Sequence, residues 1–247
     1  PAYYFFRKIA DYQYSVADVI GVQTPGNIAF FEKPKITARV EILHNWLSEM
    51  TTQLCSIDIS KTSLAGRRVA VYAGNMGIAQ GMSQIMDVVK SLKSDNQIGF
   101  VFVGRGTDAE LLKKEAIEKG LDNVLFFDEI DPDEIPGLYA QCDVGLVVLH
   151  PKHSTHNIPG KFISYMHSGL PTFAVVNKRN DIIELIEKNG VGWAYADEPT
   201  EVLAERLRGS LQAITQADNI RLKCKNLASA LFGSEGAVKQ VTDGLRK

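Results

Sequence analysis

The chain has 247 residues, 45% of them hydrophobic, with 27 basic and 29 acidic side chains and a formal net charge of -2. This composition supports a sizeable globular core, and the charge balance argues against a polyanion-binding protein, so no nucleic-acid partner is expected. Cys55, Cys142 and Cys224 are far apart and form no C-x-x-C pair, which argues against a disulfide framework or zinc ribbon and points to a reducing compartment. No apolar run is long enough to cross a bilayer, and no signal peptide is recognisable. The sequence opens at Pro1 directly into YYFFRKIADY, which gives the expectation that this start is internal to a longer protein.

In chain order, residues 1–50 read as helix through Tyr14, strand (DVIGVQT), helix (GNIAFFEK) and strand (RVEILHN). They are expected to be the closing elements of a preceding α/β domain. Residues 51–66 are polar and contain Ser, Thr and Gly, as in a linker. From Arg67 the apolar runs RVAVYAG, IGFVFVG, NVLFF, DVGLVVL, PTFAVV and GVGWAYA alternate with stretches of helical periodicity. Continuous apolar runs are strands buried on both faces, and strict strand–helix succession means a parallel sheet with right-handed crossovers. Gly120, Gly169 and Gly190 fall where helices end, as left-handed caps. The fold class is therefore α/β, an open doubly wound parallel sheet over residues 67–198, with a remnant of a second α/β domain before it. Residues 199–247 read as long helices.

Ligands of such a sheet bind outside the carboxyl ends of its strands. The first loop there, YAGNMGIAQG, holds Gly74, Asn75, Gly77 and Gly81 between a strand and a helix. Its G-x-x-G-x-x-x-G spacing is not the dinucleotide fingerprint, and the second strand ends in Gly104-Arg105-Gly106 rather than an acidic residue. The fourth loop, HPKHSTHNIPGKFISYMHSG, carries His150, Lys152, His153, His156, Pro159, Gly160 and Lys161. Lys161 in a first helical turn opposes the helix dipole, a placement that makes sense if an anion such as a diphosphate sits at the same helix end. A solvated lysine explains it equally well from the residues alone. The three histidines are better read as a polar loop than a zinc site, because no Cys or carboxylate lies among them. Asp131-Pro132-Asp133 is explained as a capping box with a proline start, Asp131 as N-cap and Glu134 at the third position. No metal or other cofactor is expected.

These loops, in this order, resemble the C-terminal domain of family 4 glycosyltransferases of the GT-B fold, of the bacterial O-antigen or capsule type. The resemblance covers nearly the whole chain, with SVADVIGVQTPGNIAFF and VEILHNW similar to the end of the family's N-terminal acceptor domain, followed by YAGNMGIAQG, FVFVGRG, LYAQCDVGLVVL and IPGKFISYMHSGLPTFAVV.

The resemblance implies that Gly74, Asn75 and Gly77 lie at the donor phosphates and that Gly104 and Arg105 border the nucleotide. Phe127 to Ile130 would face the base. The helix opened by Pro159, Gly160 and Lys161 would hold the diphosphate, and Ser164 would approach the ribose. Where the family carries two glutamates eight positions apart, this chain has His156 and Ser164. The family's first-loop Arg and Lys are Asn75 and Gln80. The implied activity is retaining transfer of a sugar from a UDP-sugar donor to a lipid-linked saccharide acceptor, in the cytoplasm at the inner face of the plasma membrane, with peripheral membrane association through an N-terminal domain. Alternatives are a GT-B relative such as a UDP-sugar epimerase, or a nucleotide-binding module without catalysis. The 199–247 helices are expected to cross back toward residues 1–50. The chain by itself is expected to bind the donor without transferring the sugar. The residues assign no catalytic group.

Overall fold

A computed structural model describes residues 2–32, 36–48, 54–152, 156–216 and 219–245. Helix α1 (Ala2–Val16) leads to strand β1 (Val19–Val22), helix α2 (Pro25–Phe31) and strand β2 (Arg39–Ile42). β1 and β2 pair in parallel, with α2 as the crossover. The main sheet holds β3 (Arg68–Ala73), β4 (Ile98–Val103), β5 (Val124–Phe127), β6 (Val144–Val148), β7 (Thr172–Val176) and β8 (Gly192–Ala196). Each expected apolar run is a strand, every pairing is parallel, and the order is β5-β4-β3-β6-β7-β8. This is the doubly wound order of two halves meeting at the first strand.

The apolar runs are continuous because the sheet has a core on each face. Val69, Val71 and Val101 enter one cluster, while Ala70, Tyr72, Phe100 and Phe102 enter the other. The flanking helices are α3 (Met82–Ser91), α4 (Ala109–Glu118), α5 (Ile135–Ala140), α6 (Gly160–His167) and α7 (Ile182–Asn189). Gly120, Gly169 and Gly190 take φ of +57°, +67° and +60°, the left-handed geometry in which a Cβ would be strained.

Two expectations change on contact with the structure. The segment read as a polar linker has Ile57, Ile59 and Leu64 buried in the core, because Leu64 fills the space left by the missing side chain of Gly99. The box at Asp131 is half formed. Asp131 accepts from the Asp133 amide at 2.9 Å, but Glu134 accepts instead from the Ser56 amide, and the Pro132–Glu134 turn is a 3-10 helix running into α5.

After Pro199 come α8 (Thr200–Gln216), α9 (Ile220–Leu231) and α10 (Ser234–Leu245). Two hydrogen bonds link these last residues to the end of β2 and the segment after it. The Leu47 amide donates to Phe232 O at 3.0 Å, and Gln240 Nε2 donates to Ile42 O at 2.8 Å. These bonds are to β2 and the residues after it; in α1, Tyr3, Tyr4, Phe5 and Phe6 are all more than 60% exposed.

The loops after β3 and β4 lie backbone against backbone. A Cβ on Gly104 (φ +128°) would stand 2.3 Å from Gly74 O, whereas one on Gly66 (φ +80°) would meet nothing. Gly104→Ala is therefore expected to destabilise the fold by about 2 kcal/mol or more, against about 1 kcal/mol for Gly66→Ala. Urea midpoints of the two variants check this, and equal shifts would reject the packing argument.

Candidate functional site

Adjacent β3 and β6 send their crossovers in opposite directions, which leaves a crevice at their carboxyl ends. Their ladder is short, pairing only Ala70 with Val144 and Val71 with Gly145. The buried Tyr165 hydroxyl, from α6, lies 3.3 Å from Val71 O and 3.1 Å from Leu146 O, within reach of one carbonyl on each strand. Gly145 makes room for its ring, since a Cβ there would come within 2.6 Å of it. Helix α6 is thereby fixed with its first turn at the mouth of the crevice.

That first turn carries Lys161. No side chain caps α6 at Pro159, and Gly160 has open space where a Cβ would stand, so the Gly160 and Lys161 amides are open to a ligand, while the Phe162 amide donates to Pro159 O at 2.9 Å. The Lys161 ammonium lies 4.6 Å from the centre of the Tyr72 ring, a cation–π contact. It also touches Gly74, where a Cβ would be 3.2 Å from Nζ. Among the described residues no carboxylate pairs with it. Burial pushes its pKa from 10.5 down to about 8, because no counter-charge offsets the lost hydration.

The expected first-loop residues satisfy one another. Gln80 Oε1 accepts from Asn75 Nδ2 at 3.1 Å and from the Gly77 amide at 3.2 Å, while the Tyr72 hydroxyl donates to Asn75 O. Gln80 therefore closes the loop internally, and the Gly77 amide is already engaged. Met76 N donates to Arg105 O at 2.8 Å and Gly104 N to Phe127 O at 3.1 Å, which ties the three successive loops into one rim. On that rim Arg105 is exposed and pairs with Glu129 at 3.1 Å. Phe127 and Ile130 are half-buried against the core. Ser164, one turn below Lys161, hydrogen-bonds the buried Tyr139 phenol.

The histidines separate. His150 Nδ1 accepts from the Lys152 amide at 3.1 Å, and His153 lies outside the described residues. His156 faces the N-terminal elements, with its Nδ1 3.5 Å from Asp181. Asp181 in turn accepts from the Gly26 amide at 2.7 Å, and the Thr24 hydroxyl lies 3.0 Å from both His156 O and Asn27 Oδ1. These contacts bring the turn after β1 against the turn before α6. A cleft of about 290 Å³ remains between the two walls, with Gln23 and Asn45 on one side and Gln80, Asn157, Gly160 and Lys161 on the other. Gln23 and Asn45 were not among the residues expected from the sequence. Both follow the carboxyl ends of β1 and β2, so the strand-end rule already applied to the main sheet would have found them.

A sequence model described as "Glycosyl transferases group 1" matches residues 57–223. The chain belongs to this glycosyltransferase family. It is 26% identical over 197 residues to "Probable glycosyltransferase WbjE" of Pseudomonas aeruginosa, covering 78% of this chain and 49% of that protein. It is 26% identical over 146 residues to "Putative colanic acid biosynthesis glycosyl transferase WcaI" of Escherichia coli strain K12, covering 59% of this chain and 36% of that one. The chain thus spans half or less of the length of these relatives. Among solved GT-B structures, Anabaena HepE in complex with UDP-glucose superposes with a TM-score of 0.74 at 19% identity, over 97% of this chain and 66% of that one. No helix among the described residues is long and apolar enough to cross a membrane.

An unpaired desolvated ammonium lowers stability while it is charged. Lys161→Met should raise the unfolding free energy near pH 7 by roughly 1–3 kcal/mol, since each unit of pKa depression corresponds to about 1.4 kcal/mol. The folded protein releases this proton at about 8, before the unfolded chain does, so wild-type stability rises between pH 8 and 10.5 and the gap closes. Denaturant titrations of both proteins at pH 7 and pH 10 check this, and a variant less stable at pH 7 would contradict it.

Proposed function

We propose that the chain is the donor-binding part of a bacterial glycosyltransferase that moves a sugar from a UDP-sugar to a lipid-linked saccharide in surface-polysaccharide synthesis, with retention of configuration. The observation that carries this reading is Lys161, a desolvated cation without a counter-ion among the described residues, at an uncapped helix start and against a glycine. A diphosphate supplies the missing charge, and the α6 amides add hydrogen bonds to it. In the transfer step the leaving diphosphate gains negative charge, and a fixed ammonium in a poorly hydrated site stabilises that charge.

The same reading places Gly74 and Asn75 beside the phosphates. Gly77 would join them if Gln80 swings aside. The rim of Gly104, Arg105, Phe127 and Ile130 serves the nucleotide base, and Ser164 the ribose. His156, whose backbone carbonyl lies 3.0 Å from the Thr24 hydroxyl and whose ring lies 3.5 Å from Asp181, would order the loop leading into α6. UDP as the nucleotide is supported by the UDP-glucose complex of HepE, and the polysaccharide setting by the names of the two relatives.

Calorimetric titration with UDP tests the site. Lys161→Ala should weaken binding about tenfold to a hundredfold, the worth of a charge-assisted hydrogen bond of roughly 1.5–3 kcal/mol. Lys178→Ala should change it by no more than about fivefold, because Lys178 is exposed and paired with Asp197 at 3.2 Å. Lys152, also exposed, should behave like Lys178. Equal small effects from all three would reject the placement.

The pH dependence has a definite sign. Free Lys161 loses its proton at about 8, and a bound diphosphate favours the charged form. Affinity should therefore be full below pH 8 and fall above it, with a proton taken up on binding. In Lys161→Ala this alkaline decline should vanish.

A further inference from the structure

Resting on that reading, the opposite wall of the cleft says what lies next to the diphosphate. Lys161 is the one charged side chain among the described residues that line it; the other polar side chains are carboxamides, those of Gln23, Asn45, Gln80 and Asn157. A ligand with two anionic ends would leave one end facing neutral groups. A ligand with a cationic end, such as an amino sugar, would find no carboxylate. An amide offers both donor and acceptor, which matches the hydroxyls of an uncharged sugar.

Gln23 stands out within this set. Its Oε1 is shielded from solvent and has no hydrogen-bond partner, a state that costs free energy unless something donates to it. Gln80, by contrast, is already engaged within its own loop. The backbone at Gln23 is firmly set. Val22 is paired with Ile42 in β1–β2, Gln23 O lies 2.8 Å from His44 Nδ1, and Thr24 is buried with its hydroxyl on His156 O. The wall that carries Gln23 is therefore docked to the loop leading into α6, at a register fixed by hydrogen bonds.

We infer that Gln23, with Asn45 beside it, is a specificity-determining group that hydrogen-bonds hydroxyls of the transferred sugar, and that this sugar is uncharged. Diphosphate recognition thus comes from α6 and sugar recognition from the turns after β1 and β2.

The test compares UDP with UDP-glucose, UDP-galactose, UDP-N-acetylglucosamine and UDP-N-acetylgalactosamine, by calorimetry on the 247-residue chain. Gln23→Met keeps the length of the side chain and removes its amide, and Gln23→Ala serves as the second variant should Met pack poorly. Both should leave UDP affinity within about twofold while weakening the best-bound UDP-sugar about three- to tenfold, the loss of one or two neutral hydrogen bonds. Asn45→Ala should act in the same direction, and Lys161→Ala should weaken UDP and UDP-sugar alike. If wild type binds UDP and a UDP-sugar but the Gln23 variants spare both, or weaken both equally, this inference fails alone. If wild type binds none of the five, the donor-site reading fails and takes this inference with it.

Discussion

The ladder between β3 and β6 spans two register pairs, and the site is organised by that short pairing. Two parallel strands whose crossovers leave in opposite directions cannot remain paired to their carboxyl ends without closing the crevice between them. Tyr165 stands in for part of the missing ladder, its hydroxyl within reach of a carbonyl on each strand. Because Tyr165 belongs to α6, the residue that satisfies the crevice also aims the helix into it. The glycines follow from the same constraint. With the strands splayed, the loops after β3 and β4 fold over one another so closely that side chains at Gly104 or Gly106 would overlap backbone of the first loop.

Lys161 is the energetic counterpart of this geometry. A cation placed against an aromatic face and a glycine gains some quadrupole attraction, about 1–2 kcal/mol at best. It loses much more hydration than that, as its depressed pKa of about 8 records. A site that holds an uncompensated charge is less stable empty than full, and the difference reappears as ligand affinity. The uncapped start of α6 adds to this, since the Gly160 and Lys161 amides also await an acceptor. Gln80 relieves only the first loop. Being neutral, it can satisfy the Gly77 amide without neutralising Lys161.

The sheet was legible because its signal is redundant. A strand buried on both faces needs every residue apolar, and six such runs separated by helical periodicity admit few other folds. The helix-ending glycines were legible for a similar reason, as the left-handed conformation leaves little choice of residue. The position of Lys161 at a helix start could also be read, but its desolvation could not, because Tyr72 and Gly74 approach it from a different element. Glu134 shows the limit of local rules. Its spacing from Asp131 fits a capping box, yet the Ser56 amide, brought near only by the tertiary fold, takes its carboxylate. For α1 the periodicity identifies a helix, and nothing in it says what meets its exposed aromatic residues.

His156 lies where the loop before α6 meets the turn after β1. A carboxylate at this position would stand close to Asp181, and two like charges there would repel. Histidine instead lies 3.5 Å from Asp181 while Asp181 holds the Gly26 amide, and Gly26 is needed because a Cβ would come within 2.6 Å of the imidazole. The resulting contacts join the turn after β1 to the loop before α6, across 132 to 155 positions of sequence. They set the separation between Gln23 and Lys161. On the proposed reading, polar recognition of the sugar would come from this facing wall, where Gln23 Oε1 is an uncharged acceptor without a partner. A neutral acceptor would not repel the diphosphate proposed at α6, and it need not be desolvated as an ion when the cleft fills.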